Sequence, residues 1–231
     1  MKIQRFFINQ KIEDRPEISI ADIAIIHQVK NVLRLREGDE LIMLDGSGVE
    51  FHGVIKIISK EILVCSKIKI KSNPQVINSI NLYFSMLKKD KAEWVLQKCT
   101  ELGVIHFIPT ISDRTEKINL KRERAELIIK EAAEQSEKVF LPTFHETVEL
   151  DEALVDLKPE ETFYLDIEAE KINIADLKTK RNLNIFVGPE GGWSDKDREL
   201  FAKHGIKKYS LGDFVLRAET ASVAIVSALK I

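Results

Sequence analysis

Two short stretches in the last third of the chain hold residue types that can work together on a ligand. The first is Val187-Gly188-Pro189-Glu190-Gly191-Gly192. Its three glycines let a backbone come close to a bound molecule, Pro189 stiffens the turn, and Ser194 can cap the helix that follows. The second runs from Leu211 to Ala221 and brings an apolar turn, Gly212 to Leu216, together with Arg217 and the acidic helix start Glu219. Neither has the G-x-x-x-x-G-K-[ST] order of a phosphate-cradling loop or the G-x-G-x-x-G order of a dinucleotide site. Each also has a plain structural reading. The first is then a turn between strand and helix, and the second a loop with core-filling side chains and a surface Arg217–Glu219 pair of little energetic worth.

Both stretches follow strand-like runs, Leu183 to Val187 and Lys207 to Leu211, at the end where open α/β sheets bind their ligands. These runs belong to an alternating pattern. Leu82 to Leu87, Val104 to Pro109 and Thr162 to Ile167 read as strands. Ala92, Val95, Leu96, Cys99 and Leu102 form the stripe of an amphipathic helix, with Asp90 and Glu93 resembling a capping box and Gly103 closing it. Further helices are expected at about Leu120 to Lys138, Asp195 to His204 and Glu219 to Leu229. Strand and helix in alternation predict a mostly parallel sheet covered on both faces.

The first third reads differently. Ile3 to Ile8, Glu40 to Asp45, Val49 to Ile58 and Glu61 to Ile70 are rich in β-branched and aromatic residues, with a hairpin turn at Asp45-Gly46-Ser47-Gly48 and a helix at about Ile20 to Leu35. A small β-barrel with one helix is expected over residues 1–72 and the α/β domain over 73–231, the boundary lying near Ser72 to Asn78. With 231 residues and a prior of roughly 150 per domain, two unequal domains fit. A hydrophobic share of 44% beside 31% charged residues excludes disorder and a disulfide scaffold.

A net charge of -2 excludes a protein that holds nucleic acid by overall charge, so an RNA or DNA partner must meet a local patch. Cys65 and Cys99 form no C-x-x-C pair, and the five histidines show no metal-ligand spacing, so no metal is expected. Met1 to Phe7 lacks an apolar signal core and no run approaches the roughly 18 residues of a spanning helix, which points to a cytoplasmic protein with no membrane partner.

Taken together, Gly188-Pro189-Glu190-Gly191-Gly192 and Leu211-Gly212-x-x-Val215-Leu216-Arg217-x-Glu219-Thr220-Ala221 resemble the signature of the RsmE family, the ribosomal RNA uridine-N3 methyltransferases of the SPOUT superfamily. The resemblance spans nearly the whole chain: Arg5-Phe6-Phe7, His27, Val32-Leu33-Arg34, Gly38-Asp39, Lys98, Thr100 to Val104, Pro109, Arg114, Glu134-Gln135-Ser136 and Pro142 follow in order. Val215 departs from a common isoleucine, and Thr115 follows Arg114 where serine is usual. The resemblance implies an N-terminal PUA-like barrel, a SPOUT α/β domain with a C-terminal trefoil knot, S-adenosylmethionine as methyl donor, and a homodimer with each active site at the subunit interface. The substrate would be 16S ribosomal RNA or the small ribosomal subunit. The alternative is an RNA-binding protein with a catalytically inactive SPOUT-like domain; an enzyme on another nucleotide is disfavoured by the missing phosphate-loop lysine.

On that reading Leu165, Leu211, Val215 and Leu216 wall an adenine pocket, and the backbones of Gly188, Gly191, Gly192, Leu211 and Leu216 supply its polar edges, with Val187, Pro189, Glu190 and Gly212 completing the donor site. Methyl transfer to N3 needs the N3 proton removed, with Glu190, Glu219 and Asp166 as candidate bases, while Arg217 can stabilise charge on the deprotonated uracil. Glu190 has a rival role, organising the glycine turn through its own backbone amides. Residues 1–72 carry a net charge of +2 against -4 for the rest. Arg5, Arg34, Arg36 and the alternating Lys67, Lys69 and Lys71 are candidate phosphate contacts, although lysines on an edge strand also serve simply to protect it. Arg114 and Gln135 are the candidates to reach the target nucleotide. Trp94 and Trp193 read as packing residues, Trp193 with the further option of covering the pocket.

Overall fold

A computed structural model describes residues 3–60, 62–72, 79–116 and 120–230. The chain divides into two compact units, Met1–Gln75 with Ala133–Leu141, and Val76–Ala132 with Pro142–Ile231. The segment Ala133–Leu141 thus packs with the N-terminal unit, although the sequence reading assigned it to the α/β domain. Most of the boundary expected near Ser72 to Asn78 lies outside the described residues.

The first unit is built on a five-stranded sheet. Its strands are β1 (Gln4–Phe7), β2 (Glu17–Ile20), β3 (Glu40–Leu44), β4 (Val49–Ile58) and β5 (Leu63–Ser72), in the order β1-β3-β4-β5-β2. β1 runs parallel to β3 and the other pairs are antiparallel. The turn from β3 to β4 holds Gly46 and Gly48 at φ +79 and +96, and the Asp45 carboxylate accepts the Ser47 amide at 2.9 Å. Phe6, Leu41, Met43, Phe51, Ile55, Leu63 and Cys65 fill the core. On the opposite side of β1 and β3, Phe7, Ile42 and Leu44 meet Ala133, and the Phe7 amide donates to Glu134 at 2.9 Å. These contacts explain why the 133–141 segment belongs here.

The single helix expected over Ile20 to Leu35 is shorter. Ile20 ends β2, Asp22 caps α1 (Ile23–His27) by accepting the amides of Ala24 and Ile25, and a π-helical turn follows over Gln28–Val32. β2 lies outside the strands expected from sequence and is held by antiparallel pairing with β5.

The second unit holds β6 (Ser79–Ser85), α2 (Lys89–Leu102), β7 (His106–Ile111), α3 (Arg122–Gln135, which runs on into the first unit), β8 (Thr143–Phe144), β9 (Val148–Glu149) and α4 (Leu150–Ala153). After these come β10 (Thr162–Leu165), α5 (Ile174–Lys178), β11 (Asn182–Val187), α6 (Asp195–Lys203), β12 (Lys207–Tyr209) and α7 (Ala218–Lys230). The sheet is wholly parallel, in the order β12-β10-β11-β6-β7-β8, with β9 also on β7. Alternate residues of each strand serve two cores. Ile80, Leu82, Phe84, Phe163 and Ile185 face α2, α3 and α7, whereas Tyr83, Tyr164 and Phe186 face α4 and α6. Gly103 ends α2 at φ +93 as expected, but Asp90 is not its cap: the N-cap is Lys88, and no side chain closes it.

Cross-strand register lines up two rows on the α4/α6 face. One is aromatic: Tyr164, Phe186 and Tyr83 are partners on adjacent strands, and Tyr83 stacks on Phe186 at 4.3 Å. The other is polar: Thr162, Asn184, Asn81 and His106 are partners, with Asn81 donating to Asn184 at 2.8 Å and Asn184 to Thr162 at 3.1 Å. At the end of this row His106 Nδ1 meets His145 Nε2 at 2.9 Å, so one ring must be neutral to accept. Burial lowers the pKa of both, helped at His106 by His145 and at His145 by Arg122. A depressed folded-state pKa means that the unfolded chain binds protons more readily below about pH 6.5, so the pair's contribution is present above that pH and lost as pH falls. Urea midpoints should therefore drop between pH 7 and pH 5, and His145→Gln should flatten that slope; an unchanged slope would show that the pair does not govern it.

Cys65 and Cys99 are buried in different units; burial pushes the Cys65 thiol up to about 12 and raises Cys99 as well, so neither is primed to react. Among the described residues no cluster of three metal-ligating side chains occurs, and no helix is long and apolar enough to cross a membrane.

Candidate active site

β12, β10 and β11 are neighbours in the sheet, and the loops leaving their C-terminal ends meet around one cavity of about 660 Å³. Leu165 and Asp166 come from β10, Val187 to Trp193 from β11, and Ser210, Leu211 and Phe214 to Ala218 from the segment after β12. This is the place where parallel sheets offer backbone groups and helix starts to a ligand. Every donor-site residue expected from sequence lines this cavity except Gly212, which sits between lining residues with its amide on Ser210 Oγ at 3.1 Å.

The glycine loop is held from several sides. Gly192 lies at φ +67, and its amide donates to Pro189 O at 2.9 Å. Gly191 O accepts Arg114 Nη1 at 2.9 Å. The Gly192 amide and the Gly191 carbonyl thus close and brace the loop. Gly188 faces the Trp193 ring, where an added Cβ would stand 3.0 Å from Cε2. Trp193 is buried, and its Nε1 donates to Leu165 O at 2.9 Å, so it is a wall tied to the next loop and not a movable cover. Ser194 caps α6 in a capping box with Asp197, whose carboxylate also accepts the Asp113 amide at 3.2 Å.

Two charged groups of residues stand on the cavity. Asp166 and Arg198 form one, with Nε and Oδ2 2.8 Å apart. Burial of Asp166 opposes its charge, but Arg198 and the Glu168 amide outweigh this and hold the carboxyl below the usual range. Tied in this way, Asp166 is a poor candidate base. The second contains Lys91, Glu190 and Arg217; Glu219, a candidate base, is not among the lining residues but stands close enough for its charge to act on Lys91. Lys91 Nζ donates to Glu190 Oε1 at 3.0 Å. Burial would raise the Glu190 pKa, yet Lys91, its own backbone amide and that of Lys88 keep it low. The Glu190 carboxylate therefore meets its own amide, but its other partners, Lys91 and the Lys88 amide, lie outside the glycine turn. Arg217 makes no described ion pair with Glu219, which removes the surface-pair reading.

Lys91, Arg198 and the bracing by Arg114 escaped the sequence reading. The contacts span 99, 32 and 77 residues, beyond any local spacing rule. Arg114, expected to reach RNA, is exposed but has Nη1 on the glycine loop. Thr115 Oγ1 accepts the Ser112 amide at 2.9 Å, so a hydroxyl at this position has a structural partner.

In the first unit Arg34 and Arg36 are exposed and line a groove with Lys30. Arg34 holds φ +55, unusual for a residue with a side chain. Arg5 differs from expectation: its side chain is 15% exposed and lies 3.7 Å from the buried Glu50, so it serves the sheet face and not an open phosphate surface. Lys67, Lys69 and Lys71 are exposed, with Lys67 paired to Asp14. Gln135 is exposed at the end of α3.

The fold and site are those of an RNA methyltransferase: residues 73–230 match the RNA methyltransferase domain and residues 24–68 the RNA methyltransferase PUA domain. Ribosomal RNA small subunit methyltransferase E of Bacillus subtilis is 32% identical across 98% of this chain and 96% of its own length. That of Rickettsia conorii is 28% identical across 100% and 96%. The crystal structure of the Neisseria gonorrhoeae enzyme bound to S-adenosyl methionine superposes with a TM-score of 0.88 at 26% identity, covering 98% of this chain and 96% of that one. The chain belongs to the ribosomal RNA small subunit methyltransferase E family.

Proposed function

We propose that this protein transfers the methyl group of S-adenosylmethionine to N3 of a uridine in the 16S ribosomal RNA of the small ribosomal subunit. The observation that carries this reading is the convergence of Val187–Gly192 and Leu211–Arg217 on one cavity, in a chain whose relatives bear the methyltransferase name and include one bound to that donor.

The residues present fit the donor. About 660 Å³ suits a nucleoside carrying an amino-acid tail. Leu165, Val187, Leu211 and Leu216 offer an apolar wall, and the Gly188 contact with Trp193 shows that the wall has no room for a side chain there. Arg198 with Asp166 would hold a zwitterionic or hydroxyl-bearing end, and Gly188, Pro189 and Glu190 would lie along the ligand. When bound, the donor supplies an electrophilic methyl on a sulfonium. Glu190 or Glu219 would take the N3 proton, and Arg217 would stabilise the uracil charge. Arg34, Arg36, Arg114 and Gln135 would meet the RNA.

The reading includes a cytoplasmic homodimer and a trefoil-knotted C-terminal segment. Phe214 and Val215 are each 84% exposed beside the cavity, a patch that asks for cover, and Ala224 and Ala228 are only half-buried on α7. Incubation with small subunits and methyl-labelled donor, followed by nucleoside analysis, should yield 3-methyluridine. Light scattering at micromolar concentration should give twice the chain mass. Donor binding with no methylated RNA would favour the RNA-binding, catalytically inactive alternative.

A further inference from the structure

Lys91 stands in the first turn of α2, where the helix dipole disfavours a cation, so its placement does not serve the helix. Its Nζ crosses to Glu190 Oε1 at 3.0 Å, with the two side chains 23% and 31% exposed on the cavity wall. The Glu190 carboxylate also accepts the backbone amide of Lys88, so it is docked on the start of α2 and keeps Lys91 with it. The charges of Glu219 and Arg217 act on the same ammonium. Beside them Glu219 Oε2 is buried with no hydrogen-bond partner among the described residues. The three side chains that the sequence suggests for catalysis therefore gather around a fourth.

Resting on the uridine-N3 reading above, we infer that Lys91 is a catalytic cation whose ammonium passes from Glu190 to the uracil ring as the ring loses its N3 proton. The N3–H bond breaks and its proton goes to the Glu190 carboxylate, which returns it to water after turnover. The electron pair left on N3 spreads over the two flanking carbonyl oxygens. Glu190 becomes neutral as the ring becomes negative, so Lys91 exchanges one ion pair for another and charge is never separated in a partly desolvated cavity. The N3 pair then forms the bond to the methyl carbon while the carbon–sulfur bond breaks with its electrons on sulfur, leaving a neutral thioether. The exchange also explains how a carboxylate held at low pKa, and so a weak base alone, can accept this proton.

Lys91→Met keeps the aliphatic stem and removes the charge. On small subunits its kcat should fall by about 10²-fold, the scale for loss of one preorganised charge-stabilising group. Affinity for S-adenosylhomocysteine, by titration calorimetry, should stay within about twofold, because the group acts on the ring and not on the donor. The variant's rate should also climb more steeply than the wild type's from neutral to alkaline pH, as solvent hydroxide takes over the proton. Lys91→Arg, which retains the charge, should recover about tenfold or more of the loss. An equal loss of homocysteine-product affinity would make Lys91 a pocket-wall residue and overturn the inference. So would unchanged kcat, or a lower kcat with the wild-type pH profile. Wild-type protein assayed in parallel separates the two readings: absence of 3-methyluridine there would refute the uridine reading itself and this inference with it.

Discussion

Arg217→Ala should lower kcat by about 10²-fold or more while leaving the affinity for S-adenosylhomocysteine nearly intact. Arg217 is exposed on the cavity rim between Leu216, a wall residue, and Ala218, the buried start of α7. No described ion pair holds its side chain, so it can leave the donor's side of the cavity and reach toward the base. An arginine kept for surface pairing would be worth little, and its loss would leave turnover near normal. One kept for the donor would cost affinity in step with rate. Deprotonated uracil carries charge on two carbonyl oxygens; of the three cations lining the cavity Arg198 is held by Asp166, which leaves Arg217 and Lys91 for them. Arg217→Lys is the sharper variant, because it retains charge without the planar fork of donors, and a large loss would assign the effect to geometry. Single-turnover rates beside calorimetric donor affinities distinguish the three cases.

The glycine loop should be nearly as sensitive, for two separate reasons. Gly188→Val places its first added carbon 3.0 Å from the Trp193 ring, and that ring is buried and tied by Nε1 to Leu165 O. It cannot yield without moving a second wall of the cavity. Overpacking of this kind costs about 1–3 kcal/mol and distorts the site. Gly192→Val meets open space, but at φ +67 a β-branched residue is strained, and the turn closed by the Gly192 amide onto Pro189 O should open. Both variants should lose at least about tenfold in product affinity, or about 1.4 kcal/mol. Thermal unfolding should fall further for Gly188→Val. Unchanged affinity in a folded Gly192→Val protein would show that the loop does not shape the donor site.

Much of the fold was legible because it rests on local periods. β4 was read with the bounds it has, and α6 and α7 to within a residue or so of each end, since alternation and helical stripes show which side of an element is buried. β2, β8, β9 and α4 were not, and they are held by neighbours that pair with them or cover them. The capping box expected at Asp90 and the open phosphate contact expected of Arg5 failed for related reasons. Residue type and local spacing suggested partners, and the folded chain supplied others: the Lys88 carbonyl for the helix start, and Glu50 for the arginine.

By itself the sequence determined the two-part architecture, the two loops and the family they resemble, because glycines, stripes and turns act over a few residues and their effects are read along the chain. Only the tertiary structure decided which charges stand together. Glu190 and Arg217 were visible as residue types, but that Lys91 faces Glu190, that Arg198 neutralises Asp166, and that Arg114 braces Gly191 depends on the parallel order β12-β10-β11-β6-β7. Charge interactions fall off with distance through space and are indifferent to separation along the chain, so the protonation and pairing of this site are properties of the folded molecule.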